Sequence, residues 1–232
     1  MLSSPTNPLA GWRRALVVIA HPDDESFGLG AILGALISEG CDVRVLCFTH
    51  GEASTLGASV DLAAVRATEL RDAAAELGIA DVTLDHHPDG SLDTVDPDVL
   101  DQKVRDHLDG VDLLVVFEPG GVTGHRDHCA ATAAAVRITS TAGIALLEWG
   151  LAAEVAETLK GEFGVPFTTV DSRHAVSITV DRTRQRRAIA RHATQSTDNP
   201  VLRRRLALQG DQEVVRLTRA QEPRMVSIYP KG

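Results

Sequence analysis

The chain reads as an α/β protein: a Rossmann-like, doubly wound, mostly parallel sheet with helices on both faces and a C-terminal extension. Three observations predict this. Short β-branched-rich apolar runs alternate with helical stretches through the first 150 residues, the pattern of repeated βαβ units. The runs are apolar throughout rather than at alternate positions, as in strands buried on both faces. Gly40 and Gly78 close helical stretches, and Pro97 opens another at its favoured first position.

Taken in order, residues 1–12 are a polar, turn-rich lead-in and residues 15–20 (ALVVIA) a first strand. Residues 28–39 carry Leu29, Ile32, Leu33, Leu36 and Ile37 at helical spacing. Residues 42–49 (DVRVLCFT) make a second strand, and after the loop HGEASTLGAS an alanine-rich helix covers 61–77. A short third strand is expected at 81–84, a loop at 86–96 and a helix from Pro97 to about 108. The fourth strand is 112–117 (DLLVVF), followed by the glycine-rich EPGGVTG, a helix at 125–141 and a fifth strand at 144–149. Right-handed crossovers give the strand order 3-2-1-4-5, which sets the ends of strands one and four side by side at the reversal where such sheets bind ligands. Beyond residue 150 the spacing predicts helices at 151–160, 181–192 (capped by Asp181) and 200–208, and strands at 175–180 and 225–229. With no repeat or linker, residues 1–232 read as one domain, a core of about 14–150 and an extension of about 151–232 that covers the site.

Composition narrows the partners. A net charge of −9 and an aromatic content of 3% argue against nucleic acid and against extended stacking surfaces. The charge is uneven: residues 182–219 hold ten arginines against Asp198, Asp211 and Glu213. That stretch reads as solvated helix faces, with a local anion-holding face as the sharper alternative. Cys41, Cys47 and Cys129 lack CxxC spacing and read as reduced thiols. No apolar run approaches the roughly 20 residues of a membrane helix. Arg13 and Arg14 precede an apolar run too short for a secretory signal, so a cytoplasmic location with no membrane partner is expected.

Chemistry concentrates in two places: His21-Pro22-Asp23-Asp24-Glu25 after the first strand and Gly124-His125-Arg126-Asp127-His128 after the fourth. Desolvating that many acids beside a buried strand is costly without a cation. Each cluster pairs potential ligands three residues apart, His21 with Asp24 and His125 with His128, and such pairs share a helix face. His21, Asp24 and His128 would supply two imidazoles and one carboxylate with a fourth position for water, the composition of a catalytic zinc site. Fe²⁺ suits the same donors. Asp23 is placed to take a proton from water, His125 to stabilise an oxyanion or protonate a leaving amine, and Asp127 to orient a histidine. Glu25 reads as an acid favoured at a helix N-terminus. Gly28-Leu29-Gly30 is rejected as a dinucleotide turn, because the acids before it would repel a pyrophosphate.

With AHPDDE at 20–25 and GHRDH at 124–128, the chain resembles the metal-dependent N-deacetylases of the LmbE-like or PIG-L family. Thr49-His50-Gly51-Glu52, Arg66-Ala67-Thr68-Glu69-Leu70, Pro88-Asp89-Gly90 and Arg191-His192-Ala193-Thr194-Gln195 extend the resemblance over roughly residues 14–200. It implies hydrolysis of N-acetylglucosamine-type amides, including N-acetylglucosaminyl-inositol compounds. It implies zinc on His21, Asp24 and His128, Asp23 as general base, and His125 as general acid or oxyanion stabiliser. Arg66, Asp89 and His192 are the implied substrate-binding residues. Their alternatives are an ion pair to Glu69 or Glu52 for Arg66, loop solvation for Asp89 and a structural hydrogen bond for His192. The chain departs from members that carry a tyrosine before the second cluster: the loop reads Gly120-Gly121-Val122-Thr123, and the only tyrosine is Tyr229. The expectation is a zinc-dependent hydrolase removing an N-acyl group, acetyl, from an amino-sugar-containing small molecule. The competing readings are an amidase acting on a non-sugar amide or thiol conjugate, and a non-catalytic metal-binding partner protein.

Overall fold

The computed structural model describes residues 7–57, 61–171 and 174–219. Along the chain run β1 (Arg14–Ile19), α1 (Asp24–Phe27), α2 (Gly30–Ser38), β2 (Asp42–Thr49), α3 (Leu62–Leu77), β3 (Asp81–His87), a 3₁₀ turn (Leu92–Thr94) and α4 (Pro97–Arg105). They are followed by β4 (Leu113–Phe117), the distorted single turn α5 (Gly121–Gly124), α6 (Arg126–Ala142), β5 (Ala145–Gly150) and α7 (Ala153–Phe163). The last elements are β6 (Ala175–Thr179), α8 (Thr183–Arg191), α9 (Ala193–Ser196), α10 (Pro200–Gln209) and β7 (Gln212–Thr218).

The strands form one sheet in the order β3-β2-β1-β4-β5-β7-β6. β1 to β5 pair in parallel, in the predicted 3-2-1-4-5 order, while β7 runs antiparallel between β5 and β6. Successive residues of β1 serve opposite cores. Ala15, Val17 and Ile19 pack with Leu33 and Leu36 of α2 and Leu70 of α3, and Leu16 and Val18 with Leu100 of α4 and Ala134 of α6. Both faces are covered, which is why β1 reads as an unbroken apolar run. Among the described residues no helix is long and apolar enough to cross a membrane.

Three elements differ from what the sequence predicts. The helix expected over 28–39 is preceded by a separate turn, α1, which takes Asp24 and Glu25 into helical backbone. β3 continues to His87 because Thr49 and His87 still pair after the register shifts at an irregularity between Cys47 and Thr49. β7 was not expected. Its charges find partners inside the fold: Arg216 pairs with Glu148 of β5 at 2.5 Å, and Glu213 accepts from Trp149 Nε1 at 2.6 Å and pairs with Arg182 at 2.5 Å. The strand predicted at 225–229 lies outside the described residues.

Candidate metal centre

The turn after β1 is built to aim one carboxylate. The backbone N–H groups of Ala20 and His21 both donate to Asp24 Oδ2, at 3.2 and 2.9 Å. Asp24 Oδ1 then faces His128 Nε2 at 3.1 Å, across the gap between the ends of β1 and β4.

Hydrogen bonds also assign the two imidazole tautomers. His21 Nε2 faces Asp89 Oδ1 at 3.0 Å and Asp127 Oδ2 at 3.3 Å, so its proton belongs there and Nδ1 presents a lone pair. His128 Nδ1 faces the Gly121 carbonyl at 3.0 Å, which leaves Nε2 bare. The two bare nitrogens lie 3.1 Å apart, and His21 Nδ1 is 3.8 Å from Asp24 Oδ2. Two lone pairs and a carboxylate converging this closely repel one another unless a cation lies among them. Burial alone would lower the pKa of both rings, but Asp127, Asp89 and Asp24 raise that of His21 to about 10, and Asp24 raises that of His128. Burial would push the Asp24 carboxyl up, yet His128 and His21 more than offset it and hold it ionised. The surroundings therefore demand positive charge, and a divalent ion satisfies both facing nitrogens where a single proton satisfies one. The donor set fits such an ion.

Two other groups deserve comparison. His125 brings a ring nitrogen within 4.8 Å of those of His21 and His128, but it is exposed and stands edge-on to His21. His21, Asp89 and Asp127 also cluster. Their carboxylates are already engaged: Asp127 accepts from Gly90 N at 2.7 Å and Leu92 N at 3.0 Å, and Asp89 accepts from Ala53 N at 2.8 Å. That group anchors the His21 ring rather than forming an open cradle.

Asp23 sits beside Asp24 with φ 123°, a conformation a non-glycine residue holds only at a cost of about 1–3 kcal/mol. Two buried groups offset it. Glu25 Oε2 accepts the Asp23 N–H at 3.0 Å. Arg66 of α3 donates through Nη2 to Asp23 Oδ2 at 3.0 Å and to the Pro22 carbonyl, and through Nη1 to the Gly51 carbonyl at 2.5 Å. Gly51 must be glycine here: its φ is +66° and a Cβ would fall 2.0 Å from Arg66 Nη1. Burial lifts the Asp23 pKa to about 6, with Arg66 opposing and Asp24 adding. Partial desolvation lowers that of His125, helped by His128 and His21, which favours the neutral ring.

The expected substrate-binding residues divide. Arg66 and Asp89 line the cavity, but both are already hydrogen-bonded: Arg66 to Asp23, and Asp89 to His21. Neither Glu69 nor Glu52 is the ion-pair partner of Arg66; Glu69 holds Thr194 and Glu52 accepts from Asp89 N. His192 requires a correction. It is fully buried, lies outside the cavity wall, and pairs through Nε2 with Glu25 Oε1 at 2.6 Å. It braces the acid that braces Asp23. Only the tertiary fold reveals this, because α9 and α1 are over 160 residues apart.

The cavity holds about 550 Å³. One wall is the metal end with Asp23 and His125; the other includes Phe27, Phe117, Trp149 and Arg205. Phe117 packs its ring against His128 with centroids 5.0 Å apart, and against Trp149 at 5.5 Å. Gly28 makes room for both rings, since a Cβ there would lie 2.4 Å from Phe117 and 3.2 Å from Trp149. Glu118 fixes the loop before His125: its carboxylate accepts from Gly120 N, Val122 N and Thr168 Oγ1. Sequence reasoning missed Gln195 only as a wall residue, since its motif was noted, but it gave no signal for Asn199 or Arg205.

Comparison with known proteins agrees with this arrangement. The chain is 32% identical over 159 residues to a 1D-myo-inositol 2-acetamido-2-deoxy-alpha-D-glucopyranoside deacetylase of Kineococcus radiotolerans, covering 54% of this chain and 44% of that one. It is 31% identical over 137 residues to a probable N-acetyl-alpha-D-glucosaminyl L-malate deacetylase 2 of Bacillus cereus, covering 55% of this chain and 61% of the relative. The chain thus matches less than two thirds of the length of either. The crystal structure of the A40926 pseudoaglycone deacetylase Dbv21 superposes with a TM-score of 0.68 over 91% of this chain and 99% of that one, at 19% identity, a likeness of fold. The family model described as PIG-L: GlcNAc-PI de-N-acetylase matches residues 16–139, more than half of the chain, and the chain belongs to that family of metal-dependent N-deacetylases.

Proposed function

We propose that the chain is a zinc-dependent hydrolase that removes an N-acyl group, acetyl, from a small molecule containing an amino sugar. The observation that carries this reading is the convergence of His21 Nδ1, His128 Nε2 and Asp24 Oδ1 beside Asp23. The activities named for the two curated relatives, both on N-acetylated glucosaminides, support the sugar.

His21, Asp24 and His128 hold the metal, which when bound supplies a Lewis acid to polarise the acyl carbonyl. Asp23 takes the proton of the attacking water, with Arg66 holding the carboxylate in place. Its raised pKa makes it a stronger base than an ordinary aspartate while leaving it ionised at neutral pH. His125, its neutral ring favoured, donates an N–H to the carbonyl oxygen as negative charge develops there. The proton collected by Asp23 passes to the leaving amine. Asp127 and Asp89 keep His21 in the tautomer that presents Nδ1. The extension belongs to the same domain as the core in this reading, since α9 and α10 contribute cavity wall.

The test is acetate release from N-acetylglucosamine conjugates, and from non-sugar acetamides, by protein loaded with Zn²⁺ or Fe²⁺. Release from the sugar conjugates alone is expected. Hydrolysis confined to the non-sugar amides would transfer the site to the amidase reading. A full metal load with no hydrolysis of any amide would leave a metal-binding partner protein.

A further inference from the structure

Four of the ten arginines of the basic C-terminal stretch pair with carboxylates. Arg182 pairs with Glu213, Arg191 with Glu76, Arg204 with Glu162 and Arg216 with Glu148, all within 2.7 Å. Arg205 is different. It is 6% exposed, and among the described residues no carboxylate reaches salt-bridge distance of it. Its Nη2 donates to the Phe27 carbonyl, its guanidinium lies 5.3 Å over the Trp149 ring, and its Nε is buried without a partner. A guanidinium has five N–H donors, and this one leaves most of them without a protein acceptor. Burial lowers its pKa to about 10, with Glu213 opposing and Arg182 adding, so the charge persists at neutral pH. A buried charge held by one carbonyl and one ring is costly unless something else joins it.

What can join it is set by the cavity. Arg205 lines the same cavity as the metal ligands, separated from His128 by the Phe117 and Trp149 rings. The opposite end carries Asp23, Asp24 and Asp89, which repel an anion. A guanidinium fork matches the two oxygens of a carboxylate or phosphate.

We propose that Arg205 is an oxyanion subsite, binding a carboxylate or phosphate on the amino-sugar substrate across the Phe117–Trp149 face from the metal ligands. The proposal rests on the hydrolase reading for the sugar, and on Arg205 alone for the charge.

The test compares three glycosides: methyl N-acetyl-α-glucosaminide, N-acetylglucosamine α-1-phosphate, and the α-glycoside of glycolate. Wild type is expected to favour the two charged substrates about 10- to 100-fold in kcat/KM, the range of a charge-assisted hydrogen bond, and to do so through KM. Arg205→Gln should bring the ratio near one, and Arg205→Lys should keep part of it. A preference confined to phosphate or to carboxylate supports the subsite and names its oxyanion. Equal wild-type constants, or a ratio unchanged in Arg205→Gln, overturns it. If Arg205→Gln does not fold, an unchanged ratio in Arg205→Lys overturns it as well. Calorimetric binding of glucosamine α-1-phosphate and of methyl α-glucosaminide reads the subsite without turnover. If no glycoside is hydrolysed, the hydrolase reading fails, while charge-dependent binding lost in Arg205→Gln still sustains the subsite.

Discussion

Arg66 and Arg205 lie in the wall of one cavity, 3% and 6% exposed, yet they use their donors differently. Arg66 is tied to Asp23 and to the Pro22 and Gly51 carbonyls, and so belongs to the turn that carries the metal ligands. Arg205 touches one carbonyl and one aromatic face. The contrast divides the cavity by task. At the metal end Arg66 matches Asp23 and the three converging ligands call for a cation, so a change there damages chemistry. At the far end a charge is left over, so a change there alters which substrate fits.

The predictions sharpen this division, beginning with the largest effect. Asp24→Ala removes the one carboxylate aimed at both imidazoles, so purified protein should retain no metal by elemental analysis and release no acetate. Asp23→Asn should keep the metal and lower kcat by about 10²- to 10⁴-fold, the usual share of a general base. Metal loss in that variant would move Asp23 into the ligand set. Arg66→Lys cannot span Asp23, Pro22 and Gly51 together, and a kcat loss of roughly tenfold with little change in KM is expected. A pure KM effect there would instead place Arg66 on the substrate. Gly28→Ala, with an ordinary backbone angle and a Cβ forced against Phe117, should cost about 1–3 kcal/mol in a denaturant titration. Arg204→Ala breaks only an exposed pair with Glu162 and should leave both melting temperature and kcat/KM unchanged, in contrast to its neighbour Arg205.

Legibility in the sequence followed the same division. β1 and β4 are buried on both faces and announce themselves as apolar runs, and the short-range spacing of His21 with Asp24 survives folding because the turn is local. The parallel order then brought the second cluster to the first. β7 was hidden because Glu213 and Arg216 interrupt its apolar positions, and their partners, Trp149, Arg182 and Glu148, come from elsewhere in the chain. His192 was left between a substrate contact and a structural hydrogen bond, because a motif carries no information about which buried acid its ring will meet. Arg205 was lost among ten arginines, since composition counts charges and cannot say which one is buried away from a carboxylate.

The position of β7 has a consequence for how the molecule is made. It lies between β5 and β6 yet follows both along the chain. During synthesis β6 emerges before β7, the strand it pairs with among the described residues. The parallel half of the sheet, with both metal-ligand clusters, is translated before β7, whose Glu213 anchors Trp149. A nascent chain thus carries both metal-ligand clusters before it carries Arg205, the last residue of the cavity wall to be made.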